Sequence, residues 1–403
     1  MAGLFDRFAV VKGAAYFKLL ASRAREIFDS RGIPTAKTEE WKYTKPRGLD
    51  VDNYEKSAVQ FMYDFEEIPI DAYRLEFING RLNQNFDMPE EIRVESIFMA
   101  PEELFGHLAD INKNPFVALN TANIEEGVFI RITSTLKKPL LITYKTSVNN
   151  TNLFSNIRNL ILVEEGVSSE IVEYFTYAGN EKSEYFNNIV NEICIKDNAR
   201  LSHYKIQEEA FKANHIAYNA ALVGYKSYYK SLCVQKGANL ARNETEVRLA
   251  DENAATDVDA AYIMNGWATI DTTTWIEHLY PRTYSNQLVK GVVGGQAKGV
   301  FQGRISIPRD MVGVEGNQLH KALLLSDMAE VDVKPELEIY ADDVKCSHGA
   351  ATGVLDERQL FYMRIRGISE EEAKQMLIDA YLDDVLSKID NNALYSWVRD
   401  RIK

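Results

Sequence analysis

In the run DDVKCSHGA, residues 342–350, a thiol (Cys346) and an imidazole (His348) stand two residues apart. Both side chains ligate metals, and in an extended chain the period of two places them on one face, close enough to share a metal or cluster. Two ligands do not complete a site. Structural zinc takes four protein ligands, and an iron–sulfur cluster is held by several thiolates. The pair therefore reads as half of something. Counting alternate residues forward from Ile339, taken as facing an apolar core, puts Cys346 and His348 on the outward face unless a bulge intervenes at Asp342 and Asp343. An outward pair is placed to meet a second subunit.

Other chemistries find little support. The six histidines show no HExxH or other short metal-ligand spacing, and no GxSxG elbow presents a serine nucleophile. His278, between Trp275 and Tyr280, reads as a hydrogen-bonded structural histidine. The glycines of KGVVGGQAKGVFQG, Gly291 to Gly303, invite comparison with a phosphate-binding loop, but Gly299 is followed by Val300 where a Walker A motif needs Lys and a hydroxyl. Turns between stacked strands account for them better, so any ATP hydrolysis belongs to another chain. Cys194 and Cys233 lie among Ile193, Ile195, Leu232 and Val234 and read as small buried hydrophobes. Three widely spaced cysteines build neither a disulfide framework nor a CxxC knuckle.

Composition narrows the partners. Forty-six basic against fifty-nine acidic side chains give a net charge of −13, which opposes attraction to nucleic-acid phosphates or an anionic membrane. The 46% hydrophobic content over 403 residues supports a large core, and no uninterrupted apolar run is long enough to span a bilayer. MAGLFDRFAVVKG meets charge too early for a signal-peptide core, so a cytoplasmic location is expected.

Three textures position these residues. Residues 1–116 read as a helical and mixed region: Phe17, Leu20, Ala24, Ile27 and Phe28 have helical spacing, ended by Gly32 and Pro34, and EEWKYTKP (39–46) offers Trp41 and Tyr43 as anchors on a core. Residues 117–353 are mainly β. Within them an apolar strand end, a polar pair or trio, an Asn or Gly suited to positive φ and a small residue recur around Gly166, Asn198, Gly237 and Asn253. Such units are expected to stack, which favours a parallel β-helix, with a β-sandwich as the rival. Val331, Val333, Leu337 and Ile339 continue the strand character around Pro335. Residues 354–403 return to helix, with capping boxes at Asp356/Gln359 and Ser369/Glu372 and a break at Gly367. Ala373, Met376, Leu377, Ala380 and Tyr381 are expected on one face of the second helix, with Asp383, Asp384 and Lys388 left for solvent or a partner.

EIYADDVKCSHGA (338–350) and LDERQLFYMRIRGISEEEAKQMLIDAY (355–381) together resemble the C-terminal part of the SufB/SufD family of iron–sulfur cluster assembly proteins. HLYPRTYSNQLVKGVV (278–293), FQGRISI (301–307) and WKYTKP (41–46) extend the resemblance over most of the chain. With KCSHG at its end, the chain looks more like SufD than its paralogue SufB. The resemblance implies a right-handed parallel β-helix core between helical terminal regions. It further implies a non-catalytic scaffold in a complex of one SufB, one SufD and two SufC ATPases. His348 would then stand at the SufB interface, with Cys346 beside it, where a nascent iron–sulfur cluster is assembled with ligands from both chains. No cofactor is expected in the isolated chain, which is similar enough to SufB to form a homodimer. Helices from Asp356 onward, with Leu360, Phe361, Tyr362, Arg364, Arg366 and Gly367, would dock SufC. A carbohydrate-active β-helix protein is the alternative, with Asp251, Glu252, Asp257 and Asp259 as its carboxylates or calcium ligands.

Overall fold

The computed structural model describes residues 15–46, 49, 51–55, 65–148, 152–179 and 184–402. Among these, from Val128 onward successive strands alternate between a sheet of nine strands and a sheet of ten, each pairing in parallel with the strand two places on. The result is a parallel β-solenoid of about seven turns, with helices at both ends of the chain. A solenoid is stable when like side chains stack from rung to rung. Phe77, Tyr144 and Phe175 occupy one register position on three consecutive rungs. Their rings stack at 5.2 and 4.2 Å.

Corners of the solenoid explain the recurring polar units. Gly166 (φ 71°), Asn198 (φ 58°), Gly237 (φ 86°) and Asn253 (φ 60°) all adopt the left-handed conformation, which glycine and asparagine tolerate best. Gly166, Asn198 and Asn253 lead from the nine-stranded sheet into the ten-stranded one, whereas Gly237 turns the opposite corner. Corners also stack: the Gly166 amide donates to Asp197 O at 2.9 Å and the Asn198 amide to Tyr225 O at 2.8 Å. The small residues that follow, Val167, Ala199, Ala238 and Ala254, are buried.

Each outer face is covered. Helix Ala15–Arg31 buries Phe17, Ala21, Ala24 and Phe28. Together with the fully buried helix Pro115–Ala122, it packs on Phe154, Leu160, Phe186 and Ile216 of the nine-stranded sheet. Trp41 anchors the same side, and Thr44 rather than Tyr43 is its buried companion, hydrogen-bonded to Asp271. Residues Ile378, Leu382, Leu394 and Val398 of the C-terminal helices pack on Val172, Tyr204 and Val234 of the other sheet.

The C-terminal region holds three helices, Glu357–Ile365, Glu370–Leu386 and Asn392–Arg401. In the second, Ala373, Ile378, Leu382, Val385 and Leu386 are buried, while Met376 and Ala380 are exposed. The acids and lysine expected to face solvent or a partner find partners within the chain: Lys290 bonds Asp384, Lys388 Nζ lies 2.8 Å from Asp259, and Tyr395 donates to Asp383 at 2.6 Å. The helix therefore docks through its polar flank as well as its apolar stripe.

The ends of the solenoid differ. At the start, Arg81–Leu82 and Ile92–Ser96 pair antiparallel with neighbours and close the ladder. At the finish, Glu330–Ile339 and Asp343–Val354 are the outermost strands of their sheets. Every residue of the last strand is exposed or half-buried.

Candidate functional site

Cys346 and His348 lie on that last strand, paired in register with Gly316 and Gln318. Val344 and Cys346 pack half-buried against Ile305, Ile307 and Val314. The thiol therefore points toward the solenoid interior, not outward as counting from Ile339 suggested. Between Ile339 and Asp343 the chain turns a corner from one sheet to the other, and alternation cannot be counted across a corner. His348 shares the parity of Cys346 but stands beyond the apolar plug and is exposed. Beneath it, Gln318 is buried and donates to Gln287 at 3.4 Å.

Electrostatics keep the thiol protonated in the isolated chain. Burial pushes the Cys346 pKa up, assisted by Glu315 and opposed by a hydrogen bond from Gly316. Since the thiolate is the metal ligand and the nucleophile, binding at Cys346 is coupled to release of the thiol proton. Among the described residues no set of three or more His, Cys, Asp or Glu side chains is placed to hold a metal ion. The pair at the edge remains two ligands.

The remaining histidines and cysteines have structural settings. His278 is fully buried between the hydroxyls of Thr283 (2.8 Å) and Ser285 (2.9 Å). His203 bridges Glu173 (2.9 Å) and Tyr229 (3.0 Å) within the solenoid. Burial pushes the Cys194 and Cys233 thiols up to about 12. In the glycine-rich run, Gly294 and Gly295 form a corner, while Gly291 and Gly299 lie inside strands and clear space for the Tyr262 ring. The four acids of the carbohydrate-active alternative each have a separate task. Glu252 pairs with Arg282, Asp257 accepts from Tyr228 and Asn286, Asp259 meets Lys388, and Asp251 caps its own corner.

On helix Glu357–Ile365 the Asp356 side chain caps the Arg358 amide at 2.8 Å, and Gly367 ends the turn at φ 90°. Leu360 is buried. Phe361 and Tyr362 are 64% and 52% exposed, with Arg364 and Arg366 beside them, and Arg366 lies 4.5 Å from the Tyr362 ring centroid. Ile365 and Met376 are exposed as well, Met376 against the expectation that it lies on the apolar face of its helix. Among the described residues no helix is long and apolar enough to cross a membrane.

The chain is thus a parallel β-solenoid flanked by helices, with Cys346 and His348 on its exposed last strand. The model of the SUF system FeS cluster assembly SufBD core domain matches residues 146–381. An iron–sulfur cluster assembly SufBD family protein of Synechocystis is 31% identical over 94% of this chain and 90% of its own length. The iron–sulfur cluster assembly protein SufD of Escherichia coli is 30% identical over 92% of this chain and 89% of its own. The chloroplastic protein ABCI7 of Arabidopsis thaliana is 36% identical over 62% of this chain and 52% of its own. The chain belongs to the SufBD family of iron–sulfur cluster assembly proteins and is similar to SufD.

Proposed function

We propose that the chain is the SufD-type scaffold subunit of a cytosolic SufB–SufC–SufD complex, contributing no catalysis of its own. The observation that carries this reading is the open edge: two outermost strands, Glu330–Ile339 and Asp343–Val354, with Cys346 and His348 at the lip. An exposed strand edge offers a row of unpaired backbone groups that a partner strand can satisfy. SufB pairs there and supplies the ligands that Cys346 and His348 lack, so the nascent cluster is a cargo held between two chains. In the absence of SufB, a second copy takes the same edge and the isolated chain dimerises.

Phe361, Tyr362 and the flanking arginines take the SufC ATPase, whose ATP-driven closure moves the two scaffold subunits against each other. Anaerobic co-expression with SufB and SufC tests the assignment. The three chains are expected to purify together, and His348→Ala is expected to reduce cluster formation on the complex without dispersing it. Failure to co-purify sinks the subunit assignment. Unchanged cluster formation in the variant sinks the role of His348.

A further inference from the structure

One column of side chains on the inner face of the ten-stranded sheet ends at His348. In register from rung to rung it holds His203, Ser231, Val258, Gln287, Gln318 and His348. All but His348 are buried. The polar groups at its outer end have a direction. Thr274, on the facing sheet, donates its hydroxyl to Gln287 Oε1, and Gln318 Nε2 donates to the same oxygen at 3.4 Å. With its nitrogen so committed, Gln318 is left with a carboxamide oxygen, and that oxygen is sealed from solvent without a hydrogen-bond partner. A buried acceptor is costly to leave unmade, so a donor is called for.

The fold clears space for this side chain. Gln318 crosses the interior to Gly303 of the nine-stranded sheet, where a Cβ would fall 1.8 Å from Gln318 Nε2. A side chain at position 303 would displace the carboxamide. One rung further out on that sheet, Pro335 pairs in register with Gly303 and has no N–H to offer. On the sheet of Gln318 itself, the residue one rung out is His348, about 4.8 Å along the ladder and on the same side of the strand. A neutral imidazole donates at one ring nitrogen and can ligate a metal through the other.

We propose that Gln318 is the positioning residue for His348: its free oxygen takes one ring N–H, and the other ring nitrogen is thereby held toward the shared site as a metal ligand. Metal-bound histidines commonly donate their second nitrogen in this way, which fixes the tautomer and the ring plane. The bond forms when a partner strand covers the edge and His348 leaves solvent. This inference rests on the shared site proposed above and adds the group that holds its histidine from the rung beneath.

Gln318→Met removes the acceptor at nearly constant shape, whereas Gln318→Glu keeps one. Each is made in the full chain co-expressed with SufB and SufC, alone and combined with His348→Ala. Zinc affinity of the purified apo complex is read by competition with a chromophoric chelator, beside cluster formation, and the His348→Ala complex subtracts zinc bound elsewhere. Gln318→Met is expected to weaken zinc binding about tenfold and to lower cluster formation, the usual range for losing such a partner. Gln318→Glu is expected to restore both, and neither substitution should matter once His348 is Ala. Thermal unfolding checks that the variants are folded, and Gln318→Leu replaces the Met variant should that one fail. Wild-type zinc affinity without the acceptor overturns the positioning role and leaves the assembly reading standing. An equal loss with and without His348 does the same. If the chains do not assemble, or His348→Ala alone changes nothing, the underlying reading fails and the positioning role falls with it.

Discussion

The Arg242 guanidinium lies 4.2 Å from the ring centroid of Trp41 and also donates to Glu40 O at 3.0 Å and to Asp271 at 2.5 Å. This one side chain ties the N-terminal segment to the solenoid. Trp41 is 1% exposed and has Phe116 as an aromatic neighbour at 5.0 Å. Trp41→Ala is therefore expected to cost about 3–5 kcal/mol, the range for truncating a buried aromatic. Trp41→Phe should retain more than half of that. Urea unfolding midpoints at constant slope measure both, and a Trp41→Ala loss below about 1 kcal/mol would show that the anchor lies elsewhere.

Gly291 makes a sharper case, because the crowding is steric. A Cβ there would fall 2.0 Å from the Tyr262 ring, whose hydroxyl lies 2.9 Å from His320 Nε2. Neither ring nor backbone can yield by that much without a shift of the rung. Gly291→Ala should lose about 1–3 kcal/mol or more through overpacking. Gly353→Ala, with nothing within 4 Å, should stay within about 0.5 kcal/mol of wild type. Combined with Tyr262→Ala, Gly291→Ala should cost less than it does alone, a coupling that a double-mutant cycle reads directly.

Stability should fall on mild acidification. Burial pushes the pKa of His278 down from 6.5 to about 4, and that of His320 likewise to about 4. The unfolded chain therefore takes up a proton near pH 6.5 that the folded chain resists until about pH 4. Their contribution is complete above the unfolded value and is lost progressively as pH falls toward the folded one. Each site is worth up to about 3 kcal/mol across that window. His278→Gln should be less stable at neutral pH but show a shallower loss toward pH 5. An unchanged slope in chemical denaturation would mean that His278 titrates normally.

These groups also show what the sequence could and could not disclose. Helix Ala15–Arg31, the left-handed corners and the capped helices at Asp356 and Ser369 were legible because each rests on local spacing or local backbone chemistry. The inward direction of Cys346 was not, because a corner resets the alternation. Glu173, His203 and Lys205 lie buried inside the solenoid, and strand Leu153–Val163 is buried along its whole length. With one face in the interior and the other under helices, such strands lose the polar-out pattern on which a sequence reading depends. Helix Asn392–Arg401 lies in the region read as helical, but its separate start was not picked out, although Asn391 caps it and Leu394 and Val398 sit four apart on its buried face. The fit of Gln318 against Gly303 joins two sheets and left no local signal.

The exposed helix face gives a prediction in which stability and assembly separate. Leu360 is 5% exposed and holds helix Glu357–Ile365 in place, while Phe361 and Ile365, one turn apart, are 64% and 63% exposed. Removing the outer pair takes nothing from the core. Phe361→Asp with Ile365→Ser should leave the unfolding midpoint of the isolated chain within about 0.5 kcal/mol of wild type. Full burial of two such side chains against SufC is worth about 3–5 kcal/mol, so their loss should weaken docking more than a hundredfold. Leu360→Ala should instead lower stability first. Co-purification of SufC with the double variant at wild-type yield would place its docking surface elsewhere on the chain.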